Sequence, residues 1–136
     1  MHGDYMNVNE INVLVLAYLG DTIYENYVRK YLILKGISNV NDLQKESINY
    51  VSAKAQCSYI RDMIDNNFFN EEELSVIKRA RNNRSNSHPK NCDIITYKYA
   101  TGLEALIGYL SLINNTKRID DIMKYILRWF DDSIWS

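Results

Sequence analysis

Residues 14–34, LVLAYLGDTIYENYVRKYLIL, constrain this chain more than any other stretch. Their period is helical: Leu14, Ala17, Tyr18, Asp21, Tyr24, Glu25 and Val28 follow one another at spacings of three and four and share a face. The run is apolar on most sides, so the rest of the molecule is expected to pack around it. Asp21 interrupts it, directly after Gly20. A carboxylate among aromatic and apolar neighbours needs a cation, a donor network or a proton. The plainer alternative is a carboxylate at a helix bend with its side chain in water. Glycine inside a helix costs about 1 kcal/mol relative to alanine, so Gly20 points to a second backbone or a ligand approaching closely.

Length and composition remove several classes of function. With 136 residues, 46% of them hydrophobic, five glycines and one proline, the chain reads as one packed, mainly helical domain spanning 1–136. Two cysteines, Cys57 and Cys92, and two histidines, His2 and His88, are too few for a structural zinc site or a disulfide framework. The N-terminus lacks a signal-peptide apolar segment, and no apolar run approaches the roughly 20 residues of a membrane span. A cytoplasmic protein is expected. A net charge of −1 means that any electrostatic function must come from uneven charge distribution.

The remaining helices follow from caps and periodicity. Asn12 or Asn9 is expected to cap the first helix, which runs to about Lys35 and stops at Gly36. Asn41 is expected to cap a second helix carrying Leu43, Ile48, Val51, Ala55 and Ile60, with a break near Cys57 and an end at Asp65. Asn70 with Glu73 three residues on forms a capping box, so the acidic triplet at 71–73 reads as a helix start rather than a metal site. That helix should fray by Asn82. Asp93 is expected to cap a helix reaching Ile113, with Asn114 and Asn115 ending it. A last amphipathic helix from Thr116 or Lys117 turns Ile119, Ile122, Met123, Ile126, Leu127 and Phe130 inward. No alternating run marks a strand, and the fold class is all-α.

Two further features carry chemistry. Glu104 is the only acid between Asp93 and Asp120, and helical spacing surrounds it with Thr101, Ala105 and Gly108. Two apolar helices, each with a glycine and one central acid, are expected to bring Asp21 and Glu104 together. Such a pair cannot stay doubly ionised cheaply without a cation. Hard oxygen donors favour Mg²⁺ or Mn²⁺, completed by water and substrate phosphate. The alternatives are a shared proton or a bridging Lys or Arg. The second feature is the acid-free segment between Leu74 and Cys92, where Lys78, Arg79, Arg81, Arg84 and Lys90 accompany His88. A basic segment rich in Asn and Ser suits phosphate and 2′-hydroxyl contacts on an RNA duplex, although an ordinary solvated loop has the same composition. Carboxylates, a metal and a polyanion-binding loop together describe phosphodiester hydrolysis.

These stretches resemble the ribonuclease III family. LAYLGDTIYE (16–25) resembles its signature, LEFLGD followed by apolar residues; TGLEALIGYLSL (101–112) resembles its second acidic motif, DxFEALIGAxYL. LQKESINYVSAKAQ (43–56) resembles the segment between them, and order and spacing agree from about residue 11 to 130. The chain stops where longer members continue into a double-stranded-RNA-binding domain, which resembles the short branch, Mini-ribonuclease III. The resemblance implies a ribonuclease III catalytic-domain-like helical bundle and a homodimer that cuts double-stranded RNA with Mg²⁺. It implies Asp21 and Glu104 as catalytic carboxylates and metal ligands. For the short branch it implies precursor 23S ribosomal RNA as substrate, with a ribosomal protein assisting. Two family acids are missing: the signature glutamate falls on Ala17, and the aspartate three residues before the catalytic glutamate falls on Thr101. A shell completed by water or Thr101, and weaker metal binding, are expected in their place. Lys54 does not match the asparagine of the family's VSN segment, but a lysine there can reach a phosphate. The competing reading is a helical RNA-binding or ribosome-associated module that keeps the fold and has lost the chemistry.

Overall fold

The structure is a computed structural model and describes residues 5–84 and 88–127. Among them are six α-helices and no strand, so the all-α expectation holds. They are α1 (Val13–Leu34), α2 (Val40–Val51), α3 (Ala53–Asp65), α4 (Glu71–Arg81), α5 (Ile94–Leu112) and α6 (Thr116–Leu127), preceded by a 3₁₀ turn at Val8–Glu10.

Local chemistry sets the helix ends. Asn12 caps α1, its Oδ1 accepting from the Leu14 amide at 2.8 Å. Gly36, at φ +103°, stops the helix as its neighbour Ile37 donates back to the Leu32 carbonyl. Asn114, at φ +61°, ends α5 in the same way, with Asn115 donating to the Leu110 carbonyl at 2.8 Å. Both arms of the capping box at α4 form: Glu73 N donates to Asn70 Oδ1 at 2.8 Å, and Asn70 N donates to Glu73 Oε1 at 3.0 Å. Asp93 caps α5 through the amide and hydroxyl of Thr96.

Two boundaries differ from expectation. The cap of α2 is Asn39, whose extended backbone lets Oδ1 accept from the amides of Asn41 and Asp42. The break expected near Cys57 falls at Ser52, which is extended and caps α3 through Ala55 N. Serine competes for backbone hydrogen bonds, and this breaks the helix without a glycine or proline.

The core lies between α1 and α5, the most extensively packed pair. Leu16, Tyr24, Val28 and Tyr31 of α1 are buried with Leu103, Leu106, Ile107 and Leu110 of α5. A Cβ placed on Gly20 would lie 1.7 Å from the Glu104 carbonyl oxygen, and one on Gly108 would lie 1.9 Å from that of Leu16. The two glycines therefore let the backbones touch where the helices cross. On α6, Ile119, Ile122, Met123, Ile126 and Leu127 are buried as expected; Phe130 lies outside the described residues. Glu73, only 2% exposed, accepts two hydrogen bonds from Arg118 of α6, at 2.7 and 2.9 Å. The same guanidinium donates to the Phe68 carbonyl, so one arginine ties α4, α6 and the α3–α4 turn together. Of the described helices, none is long and apolar enough to cross a membrane.

Candidate active site

The glycine-mediated crossing decides where the two anomalous acids end up. Gly20 touches the backbone at Glu104, and Asp21, next in α1, stands beside the Glu104 side chain within hydrogen-bonding reach. Asp21 is exposed, whereas Glu104 is partly buried. Burial first, and then the neighbouring Asp21, push the Glu104 carboxyl up to about 8; the more distant Glu25 carboxylate adds to this, and the Gln56 amide opposes it. Without a counter-charge the pair holds a proton between two oxygens that would otherwise repel.

The donor set fits a hard divalent cation. It consists of two carboxylates from facing helices, with Asp21 open to solvent. Among the described residues no three His, Cys, Asp or Glu side chains converge on one point, so water or substrate oxygens must supply the rest of a coordination shell. Ala17 and Thr101, where the family motifs carry acids, are both buried.

Residues 14–115 match the Ribonuclease III domain. The chain belongs to the ribonuclease III family. It is 43% identical to the Mini-ribonuclease 3 of Clostridium tetani over 93% of this chain and 83% of that protein. Against the Mini-ribonuclease 3 of Streptococcus pneumoniae it is 40% identical over 90% and 96% respectively. A crystal structure of a Fusobacterium nucleatum protein, 33% identical, superposes with a TM-score of 0.81 over 91% of this chain and 99% of that one.

The expected basic residues of this ribonuclease III-family chain sit in different structural settings. Lys54 is exposed in the first turn of α3, and Lys78 is exposed on α4. Arg79 is committed to structure: its guanidinium donates to the carbonyls of Asn9 and Ile11 at 3.2 and 3.1 Å and fastens the entry segment to α4. Arg81 lies 4.1 Å above the ring of Tyr99 on α5. Arg84 and Lys90 are exposed on either side of residues 85–87, which lie outside the described set. His88 Nδ1 sits 2.7 Å from the Cys92 carbonyl oxygen and folds the end of the loop onto itself.

Sequence reasoning missed two residues of interest. Arg61 of α3 packs on Tyr99 at 5.1 Å, so that ring carries guanidiniums from both α3 and α4. Arg61 stands apart from the basic run, so no local charge pattern marked it. Gln56, buried near Glu104, was hidden in the motif that displays Lys54. The face drawn through Asp21 also needs correction. Leu14 and Tyr18 point to solvent, Tyr18 being 83% exposed, because α5 covers the side of α1 that bears Leu16, Gly20 and Tyr24.

Proposed function

We propose that this ribonuclease III-family chain acts as a single-domain, metal-dependent endoribonuclease that hydrolyses phosphodiester bonds within double-stranded RNA. The observation that carries the reading is the Asp21–Glu104 pair, set by a backbone-contact helix crossing, with no cationic side chain among the described residues that act on Glu104. Asp21 and Glu104 are its catalytic carboxylates and the residues that would hold Mg²⁺, or Mn²⁺ in its place. When bound, the cation supplies charge neutralisation at the scissile phosphate and acidifies an attacking water. Glu104, rooted in the buried helix, fixes one side of the centre; Asp21, open to solvent, faces the phosphate. Lys54, Lys78, Arg81, Arg84 and Lys90, together with Arg61, hold the duplex backbone electrostatically. Arg79, placed in that set by sequence, contributes positive charge from a fixed position.

Leu14, Val15 and Tyr18 form an exposed apolar stripe on α1 that runs up to Asp21, and this supports a homodimer whose interface borders the carboxylates. The resemblance to the short branch of the family, taken alone, extends the proposal to precursor 23S ribosomal RNA as substrate, an assisting ribosomal protein and a cytoplasmic location.

The test is cleavage of a plain RNA duplex by the wild type and by Asp21→Asn, each in Mg²⁺ and in EDTA. Cutting should require Mg²⁺ and fall at least about a hundredfold in the variant, since even the groups that orient a metal's ligands are worth ten- to hundredfold. Binding without cutting in all four conditions would favour the non-catalytic RNA-binding module, for which the replacement of two family acids by Ala17 and Thr101 is the supporting observation.

A further inference from the structure

Gln56 is 2% exposed, and its amide nitrogen, Nε2, has no hydrogen-bond partner. Buried polar groups are nearly always satisfied, so an orphan donor beside a candidate active site calls for an explanation. Its position is deliberate in structural terms. The chain breaks at Ser52, Ser52 caps α3, and the first turn of α3 then carries Gln56 inward against α5. There its carboxamide looks onto Glu104. The nearby Tyr24 hydroxyl cannot take the same role, because it is spent on the Tyr50 carbonyl at 2.6 Å.

We propose that Gln56 is a positioning residue: its Nε2 donates to the Glu104 carboxylate when that group turns from Asp21 to share a divalent cation with it. The inference rests on the reading of Asp21 and Glu104 as a metal centre. Glu104 is engaged with Asp21, and the Gln56 amide lies close enough to favour its ionised form although Nε2 does not complete a hydrogen bond to it. With both acids holding a cation, Gln56 would complete that hydrogen bond and fix the rotation of the Glu104 carboxylate. A neutral amide suits the task, because it orients the carboxylate without competing with the cation for its charge.

The experiment uses the full chain with Gln56→Met, matched in shape but without a donor, and Gln56→Leu as a second variant. Thermal unfolding is followed across a Mg²⁺ titration without RNA, and duplex binding is measured in EDTA. Both variants should melt in EDTA at or above the wild-type temperature, because a buried orphan donor has been removed. Duplex affinity in EDTA should stay within twofold. The Mg²⁺ concentration giving half the thermal shift should rise at least about tenfold. The turnover number for duplex cleavage should fall, with KM for the duplex unchanged. A Mg²⁺ midpoint within twofold of wild type in the variant that folds would overturn the role of Gln56 alone. Loss of stability in EDTA with an unchanged midpoint would make Gln56 a packing residue. Absence of any Mg²⁺ shift in the wild type would overturn the metal centre and this role together.

Discussion

At the scale of single residues, the glycines of α1 and α5 have unequal consequences. A methyl group on Gly20 meets the Glu104 carbonyl at 1.7 Å, and backbone cannot swing aside as a side chain can. Gly20→Ala should therefore push α1 from α5, cost about 3 kcal/mol at the upper end of ordinary overpacking, and separate Asp21 from Glu104. Gly102→Ala is the control. Its Cβ meets the Ile77 Cγ2 methyl at 3.3 Å, a side-chain atom able to give by a few tenths of an ångström. There the gain in helix propensity, about 1 kcal/mol, offsets the crowding. Urea unfolding of the two variants should show a large drop in midpoint for Gly20→Ala and almost none for Gly102→Ala. Equal drops would mean that α1 and α5 do not meet at backbone contact.

Helices differ in how much of their placement could be read from residue types. Capping is local, so Asn12, Gly36, Asn70 with Glu73, Asp93 and Asn114 were all legible in the sequence. The meeting of Asp21 and Glu104 was legible as well, because a glycine beside an acid in each of two apolar helices is a rare coincidence. What sequence could not assign was the use of each arginine, because a guanidinium's partner depends on elements brought close by folding. Arg79 and Arg81 are two residues apart in α4 and look alike in the basic run; one is bound to carbonyls, the other lies on the half-buried ring of Tyr99. Arg79→Ala should lower stability by about 1 kcal/mol through lost hydrogen bonds to the entry segment. Arg81→Ala with Arg84→Ala should leave stability within about 0.5 kcal/mol and reduce the salt dependence of duplex binding by about two charges. Measuring both quantities on the single and the double variant separates the roles; an unchanged salt slope in the double variant would remove this segment from the RNA surface.

For the whole molecule, the carboxylate pair couples folding to pH and to metal in opposite directions. Burial and Asp21 raise the Glu104 carboxyl to about 8 from an ordinary value of 4.5, so the folded chain holds a proton that the unfolded chain releases. The resulting stability is fully present below about pH 4.5 and is lost as pH rises through about 8, beyond which it is flat. Divalent cations need the ionised pair and compete with that proton, so stabilisation by Mg²⁺ should be small at pH 6 and grow toward pH 8.5. At ten times its dissociation constant, a bound ion contributes about 1.4 kcal/mol. In a chain of this size that is roughly 4 °C of melting temperature. Glu104→Gln removes both effects at once, since a neutral amide neither titrates nor attracts the cation. The measurement is melting temperature from pH 5 to 9 in Mg²⁺ and in EDTA for wild type and Glu104→Gln. The expected outcome is a wild-type Mg²⁺ increment that widens with pH and is absent in the variant. An increment of constant size across that range would mean that cation binding does not draw on the Asp21–Glu104 pair, and the proposed centre would have to lie elsewhere on the molecule.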